Sequence, residues 1–228
     1  MARAKLYARF GKQIQMAVKK GGPSENSNSV LASVLAIGRL NNIPRDLIER
    51  NIKKATDKDQ ADYSDLTYEA YGLGGVGIVI SCLTDNVNRS NLLVRTAVSK
   101  AGGKMADAGS VMFTFKRAGF VVLSGGTEDE VFAAATEAGA DDIQPRPDGA
   151  PGWDVVTEVP AYGAVLAAMK EAGLPIVAEE SGLRFVPLSP VAVPDDELFE
   201  KNLTLIEKLL EIDDVDTVVC NQADEDDA

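Results

Sequence analysis

Side chains that could bind a phosphate or a base edge are concentrated at residues 84–90, TDNVNRS. A helix N-cap needs one side-chain oxygen, which Asp85 or Asn86 can supply. The remaining amides and the Arg89 guanidinium could donate hydrogen bonds to nucleic acid. A polar loop that satisfies its own backbone would have the same composition, so both interpretations stay open. The candidate contacts in this segment are Asn86, Asn88 and Arg89.

A second candidate site is the basic start of the chain. Residues 1–59 carry 12 Lys and Arg against 5 Asp and Glu, or +7, and residues 60–228 carry 11 against 30, or −19. A basic end on an acidic body favours contact with a polyanion over a merely solvated cationic surface. The candidate phosphate contacts are Lys5, Arg9, Lys12, Lys19, Lys20, Arg45, Arg50, Lys53 and Lys54.

The absence of histidine limits the chemistry that this chain can perform. It excludes Ser-His-Asp and Cys-His nucleophilic sites, imidazole bases and every histidine-containing metal site. Cys82 and Cys220 lie in apolar, strand-like contexts typical of buried thiols. Carboxylate chemistry stays open, but no pair of acidic residues stands out, and we predict no catalysis, no metal and no cofactor. No apolar run approaches the ~18 residues of a membrane helix, so we predict no membrane partner.

A glycine motif at Gly72, Gly74 and Gly77 satisfies the spacing G-x-G-x-x-G. A β-rich run, IVISCL, follows it instead of a helix, so no helix N-terminus is available for a pyrophosphate. We predict a hairpin turn at residues 72–75, and Gly77 would allow close backbone approach in the next strand.

Three helices are predicted in the basic domain, residues 1–59: residues 4–20, residues 29–41, and residues 44 to about 56. Their predicted inward residues are Leu6, Phe10, Ile14 and Ala17 or Val18; Val30, Val34, Ile37 and Leu40; and Leu47, Ile48 and Ile52.

A discontinuous middle domain is predicted from residues 62–118 and 183–222. Its first part gives two strands, a helix at residues 88–101 and a strand in which Val111, Phe113 and Phe115 alternate. The predicted apolar positions of that helix are Leu92, Leu93, Ala97 and Val98. Its second part gives a strand (LRFVPL), a helix and a strand (VDTVVC), so that the two parts form one α+β domain.

Residues 119–182 repeat a β-α-β rhythm twice, which is typical of a ferredoxin-like domain. Its last strand is predicted at LPIVAEE, residues 174–180, and residues 223–228 form an acidic tail. The predicted fold class is therefore α+β. It has a three-helix N-terminal domain plus two α/β-sandwich (ferredoxin-like) domains, the third inserted into the second.

Residues 67–90 and residues 100–113, KAGGKMADAGSVMF, resemble the YebC family, whose members typically read YEGYGPGG, ECLTDNRNRT and GGNLGTDGSVAYLF. The structural motif residues are Tyr68, Gly72, Gly74, Gly75, Gly109 and Ser110. Other matching positions are Glu69, Tyr71, Cys82, Leu83, Thr84, Asp85, Asn86, Asn88, Arg89, Gly102, Gly103 and Val111. The resemblance covers nearly the whole chain and weakens over residues 119–185.

The resemblance implies a function, because family members are described as DNA-binding regulators, ribosome-associated translation factors and mitochondrial translational activators. It implies a monomeric, non-catalytic translation factor that binds the ribosome through rRNA, tRNA or mRNA. The sequence of these motifs looks closest to that of plant organellar members, which implies that the protein is located in a mitochondrial matrix or chloroplast stroma. The alternatives are a DNA-binding transcriptional regulator and a bacterial-type cytoplasm. A small-ligand pocket at Trp153, Tyr162, Glu179 and Glu180 is a third, weaker alternative.

Two departures from the family pattern remove positive charge. The family's basic opening, of the type GHSKWANIKHRKAAQDAKR, is almost absent, and we expect it to be processed, trimmed or missing. The family's NPRLRAAI reads NSVLASVL at residues 28–35, without the two arginines. Both changes affect the expected affinity more than the fold.

Overall fold

The computed structural model describes residues 2–40, 42–57, 62–146, 149–178, 180–193 and 195–223; the side chains of residues 2–5 and 40 are outside this description. The chain forms two compact units, Met1–Phe115 with Pro187–Ala228, and Lys116–Val186. None of the helices in the described ranges is both long and apolar enough to cross a bilayer.

The first unit begins with a bundle of three helices, α1 (Ala2–Gly21), α2 (Ser29–Leu40) and α3 (Arg45–Ala55). The predicted inward stripe of α1 is confirmed, since Phe10, Ile14, Ala17 and Val18 are buried. The partly buried Leu47, Ile48 and Ile52 of α3 pack on the same cluster, as predicted. The bundle therefore has a hydrophobic core of its own.

The predicted inward face of α2 is wrong at two positions. Val30 and Ile37 are 51% and 42% exposed, and Leu31 and Leu35 are buried in their place. The buried Asn28 fixes this rotation: its Nδ2 donates to carbonyls at the end of α1, and its Oδ1 accepts from Leu31 N at 3.0 Å. Val34 is half-buried against the core as predicted, and the side chain of Leu40 lies outside the described residues.

The remaining elements follow along the chain. They are β1 (Ser64–Tyr71), β2 (Gly77–Thr84), α4 (Val87–Lys100), β3 (Lys104–Met105), β4 (Phe115–Leu123), α5 (Glu128–Ala138), β5 (Asp142–Pro145), β6 (Trp153–Glu158), α6 (Tyr162–Glu171), β7 (Gly182–Pro187), α7 (Asp196–Leu210) and β8 (Val215–Cys220).

An antiparallel sheet of order β3-β1-β2-β8 forms the body of the middle domain. Its core joins β2 residues such as Ile78 and Ile80 to Val94 and Val98 of α4 and Leu205 of α7. The predicted hairpin turn is present between β1 and β2, where Gly74 and Gly75 have φ values of 71° and 83°. A Cβ on Gly77 would lie 2.8 Å from Val111 Cγ1, as the predicted close approach requires.

Two local predictions in this domain are wrong. Leu92 and Leu93 are 66% and 42% exposed, whereas the predicted Val98 is buried, together with Ser90 and Val94. Residues 111–115 do not continue as one strand, since Met112–Thr114 form a 3₁₀ turn before β4 begins. The Glu69 carboxylate accepts hydrogen bonds from the backbone N–H groups of Gly109, Val111 and Met112 and takes those amides away from any strand pairing.

The second unit, Lys116–Val186, is a ferredoxin-like domain with sheet order β5-β6-β4-β7. Its core joins Val121 and Val155 of the sheet to Val131 of α5 and Met169 of α6. These connections match the β-α-β-β-α-β pattern, with β7 as the fourth strand. The ferredoxin-like fold class is confirmed.

The identity of that fourth strand differs from the prediction. Among the described residues of this segment, 174–178 and 180, strand pairing is limited to an isolated bridge of Ile176 with Leu123. The backbone N–H groups of Glu180 and Ser181 both donate to Val177 O, so the chain turns there. LRFVPL, which the sequence pattern places in the middle domain, supplies β7 in its place.

Candidate nucleic-acid interface

The exposed cations of α3 form a continuous surface. Arg50, Lys53 and Lys54 are spaced by three and four residues, so they lie on one face of the helix, and all three are exposed. In the part of the chain that the structure describes, these three make no ion pair. We call them the α3 cationic face. Arg45, one turn earlier, pairs with Glu49 at 2.9 Å.

The predicted contacts on α1 are in a different situation, because most already have acidic or carbonyl partners. Arg9 Nε lies 2.8 Å from Asp216 Oδ2, and Lys19 Nζ lies 2.5 Å from Asp62 Oδ1. Lys12 Nζ donates to two backbone carbonyls at 3.0 Å each. Lys20 is exposed at the end of α1, and the Lys5 side chain lies outside the described residues.

The TDNVNRS segment satisfies much of its own hydrogen bonding. Asn86 is the N-cap of α4, and its side chain accepts from Arg89 N at 3.0 Å. The buried Thr84 hydroxyl bonds to the backbone of Asn86. The Arg89 guanidinium contacts Asp85 at 2.7 Å and Asp214 at 2.7 to 2.9 Å. Asn88 is exposed at the start of the helix.

Asp214 is the residue on which these cations converge, and sequence reasoning missed it. It is 4% exposed and accepts hydrogen bonds from Arg89 and from Ser90 Oγ, with Lys12 Nζ 3.9 Å away. Burial alone would raise the pKa of Asp214, but the hydrogen bonds from Arg89 and Ser90 outweigh burial and lower it. The hydrogen bond to Asp214 is the main reason why the pKa of Arg89 is raised. This aspartate therefore neutralises the predicted contact Arg89.

Glu69 organises the second family-like segment. Its carboxylate accepts from Gly109 N at 2.6 Å and from Val111 N and Met112 N at 2.7 Å each. Burial alone would raise the pKa of Glu69, and these three backbone donors lower it overall. The Tyr71 hydroxyl donates to the carbonyl of Ser110 at 2.9 Å. The loop at residues 107–112 is thus held from β1.

The glycine turn at residues 72–75 is held by a second residue that sequence reasoning missed. Asn202 of α7 is fully buried; its Nδ2 donates to Leu73 O, and its Oδ1 accepts from Leu73 N at 2.8 Å. An asparagine within an amphipathic helix gave no local signal for this contact. The motif glycines Gly72, Gly74 and Gly75 therefore form a braced hairpin.

The described part of the chain contains no group of three Cys, Asp or Glu side chains arranged to hold a metal. Neither Cys82 nor Cys220 is in a disulfide within those residues. Burial, followed by the charges of Asp214 and Asp216, raises the pKa of Cys82 to about 12. Cys82 is thus a protonated core residue at neutral pH.

Two sequence profiles cover this chain almost completely. The profile described as the TACO1/YebC protein N-terminal domain matches residues 1–58, and that of the TACO1/YebC second and third domain matches residues 63–222. The chain belongs to the TACO1/YebC family. The resemblance seen in the motifs is thereby confirmed.

Several similar proteins extend this assignment. A probable transcriptional regulatory protein of Arabidopsis thaliana is 41% identical over 96% of this chain and 69% of its own length. A probable transcriptional regulatory protein of Protochlamydia amoebophila is 41% identical over 96% of this chain and 88% of its own length. A conserved hypothetical protein of Aquifex aeolicus, solved by crystallography, is 30% identical, with a TM-score of 0.83 over 97% of this chain and 90% of its own. The first two carry regulatory names and no enzyme name.

Proposed function

We propose that this TACO1/YebC protein binds structured RNA of the ribosome through the α3 cationic face and acts as a non-catalytic translation factor. The observation that carries this proposal is the set of three exposed cations, Arg50, Lys53 and Lys54, on a chain whose remainder is strongly acidic. Each cation that neutralises a phosphate releases counterions and adds salt-sensitive affinity. Asn88, exposed at the start of α4, is a secondary contact.

The chemistry of α3 supports phosphate recognition over base reading. Its only side-chain amide is Asn51, which donates to Leu47 O and accepts from Gln15 Nε2 at 2.8 Å. An amide used in this way is not available for bidentate contact with adenine. Phosphate contacts position a protein without selecting a sequence, which suits a folded RNA better than a specific operator.

The proposed mechanism is preferential binding to one conformation of the ribosomal RNA or tRNA. Such a factor shifts the conformational equilibrium by its difference in affinity for the two states and needs no reacting group. The acidic remainder, −19 over residues 60–228, would repel nucleic acid from other surfaces and so orient the protein. The proposed form is a monomer in an organelle matrix or stroma, with a bacterial-type cytoplasm as the alternative.

The test neutralises the α3 cationic face with Arg50→Gln, Lys53→Gln and Lys54→Gln together. The matched control is Lys100→Gln, Lys170→Gln and Lys208→Gln, three exposed lysines outside the bundle, so that both variants have the same net charge. Fluorescence anisotropy with an rRNA fragment over a salt series gives the slope of log K against log [salt]. We expect the α3 variant to flatten this slope by about 2 to 2.7, at 0.7–0.9 for each phosphate, and the control to leave it unchanged.

Ribosome association provides the second arm of the test. Wild-type protein should sediment with ribosomes in a low-salt sucrose gradient, and the α3 variant should stay at the top. Equal slopes for the two triple variants, or wild-type protein at the top of the gradient, would refute the proposal.

A DNA-binding regulator is the second candidate function, because the plant and bacterial relatives carry transcriptional regulatory names. Competition binding separates the two functions. A strong preference for one duplex over random duplex and over structured RNA would favour the regulator, whereas preference for structured RNA would favour the translation factor.

A further inference from the structure

The helical bundle contacts the middle domain through polar groups. Among the described residues, the buried apolar cluster of the bundle and that of the middle-domain sheet share no member. The cations of α1 contact residues outside the bundle: Arg9 with Asp216, Lys12 with carbonyls, and Lys19 with Asp62. Contacts of this kind are screened by salt, and another anion can replace the acidic partner of the cation.

The partners of Arg9 and Lys12 lie mainly in one short segment, residues 213–216, which we call the acidic segment. Arg9 Nε contacts a carboxylate oxygen of Asp216 at 2.8 Å, a geometry that a phosphate oxygen can replace. Lys12 Nζ contacts the carbonyl of Asp213 at 3.0 Å, as well as Leu83 O. The acidic segment thus occupies donors that a polyanion would use.

Lys12 is held mainly by neutral oxygens. The nearest carboxylate is Asp214 at 3.9 Å, and its charge is already shared with the Arg89 guanidinium and the Ser90 hydroxyl. A phosphate, which carries full charge, would be a stronger partner for an ammonium group than two carbonyls. Arg9, whose side chain is 40% exposed, is accessible to such a competitor from solvent.

We propose that the acidic segment is an autoinhibitory contact that masks Arg9 and Lys12 and is displaced by nucleic-acid phosphate. This inference rests on the proposed function, since it adds regulation to the same cationic surface. In the masked state the α3 cationic face stays free to bind, whereas Arg9 and Lys12 do not. Displacement adds up to two phosphate contacts, at the expense of opening the contact between α1 and the acidic segment.

The test removes the masking carboxylate with Asp216→Asn. Because apparent affinity is reduced by the fraction of protein in the competent state, we expect this variant to bind the rRNA fragment about fivefold tighter at low salt. The slope of log K against log [salt] should steepen by about 0.7 to 0.9, for the one phosphate that Arg9 would contact. Glu207→Gln, on an exposed position of α7, is the control for the same change in net charge.

A double-mutant cycle with Arg9 assigns the effect to the contact itself. In an Arg9→Gln background, Asp216→Asn should give no more gain than Glu207→Gln gives there. Arg9→Lys is a second variant at a partly exposed side chain. It keeps the positive charge but loses the planar guanidinium that holds Asp216, so the masking contact should weaken and the variant should also bind RNA more tightly than wild type. Far-ultraviolet circular dichroism checks that each variant is folded.

The outcomes separate this inference from the proposed function. If Asp216→Asn gains no more than Glu207→Gln, or gains equally without Arg9, the autoinhibitory contact is refuted. Binding that remains sensitive to Arg50, Lys53 and Lys54 in that case leaves the proposed function intact. A wild-type protein that does not bind the rRNA fragment would overturn both.

Discussion

Replacing Glu69 by glutamine tests how the loop at residues 107–112 is held. The carboxylate has one oxygen on Gly109 N and the other on both Val111 N and Met112 N, at 2.6 to 2.7 Å, and the residue is 7% exposed. Glutamine keeps one oxygen, so its NH₂ must face at least one backbone N–H. Hydrogen bonds to a charged group contribute about 1.5–3 kcal/mol each, and we expect Glu69→Gln to lower the free energy of unfolding by about 2–4 kcal/mol at neutral pH.

The pH dependence of that difference is the sharper part of the prediction. The pKa of Glu69 is lowered in the folded state, so the unfolded state binds the proton more readily. Its contribution to stability is complete above the unfolded pKa, about 4.3, and is lost as pH falls through the lower, folded pKa. The difference between wild type and Glu69→Gln should therefore be constant from about pH 7 to 5 and shrink below about pH 4.

Urea denaturation followed by far-ultraviolet circular dichroism measures these differences, with Glu207→Gln as an exposed control. The rate of backbone amide hydrogen exchange at residues 109–112 should rise in Glu69→Gln and stay unchanged in the control. A loss below about 0.5 kcal/mol, which is ordinary for a surface substitution, would refute the reasoning. A difference that persists undiminished in acid would show that the charge of the carboxylate is not what holds the loop.

Four further substitutions test the packing by denaturation. Leu31→Ala should lower stability by about 2–5 kcal/mol, because Leu31 is fully buried, whereas Val30→Ala should change it by less than about 1 kcal/mol; equal losses would contradict the observed face of α2. Gly38→Ala should lower stability by about 1–3 kcal/mol, because the new Cβ would lie 2.2 Å from Phe10 Cζ, and a neutral result would contradict that close approach. Asn202→Ala leaves both polar groups of a backbone unit without their side-chain partner and should cost about 1–3 kcal/mol, with faster exchange at the glycine turn; unchanged exchange would contradict its bracing role.

Periodicity predicted the helices and most strands of this fold, because each of those elements buries one regular stripe. It failed for α2, where apolar residues lie on two sides and the deciding contact comes from Asn28, outside the helix. It also failed at residues 111–115, where alternation favoured a strand but Glu69, some forty residues earlier, captures the amides. In each case the polar contacts of a residue outside the element outweigh the local pattern.

The candidate site shows the same limit for charge. The excess of cations at residues 1–59 is visible in the sequence, but which of them are free is not. Arg9 is paired with Asp216, more than two hundred residues away, whereas Lys53 and Lys54 are exposed without an ion pair among the described residues. Net charge is additive along a chain, and pairing depends on the fold, so the site residues stay predictions.

The insertion point of the second unit has a consequence for the evolution of this protein. The backbone N–H of Leu188 donates to the carbonyl of Thr114 at 2.8 Å, so the chain leaves the host domain and returns to it at neighbouring positions. The inserted segment of some seventy residues therefore joins the host domain as a long loop with adjacent ends. Because the insert folds by itself, its folding brings those ends together and offsets the entropy cost of closing the loop. We expect excision with a short Gly-Ser bridge, or exchange for another module whose ends meet, to leave the host topology unchanged, which would make this a position where the architecture can diversify.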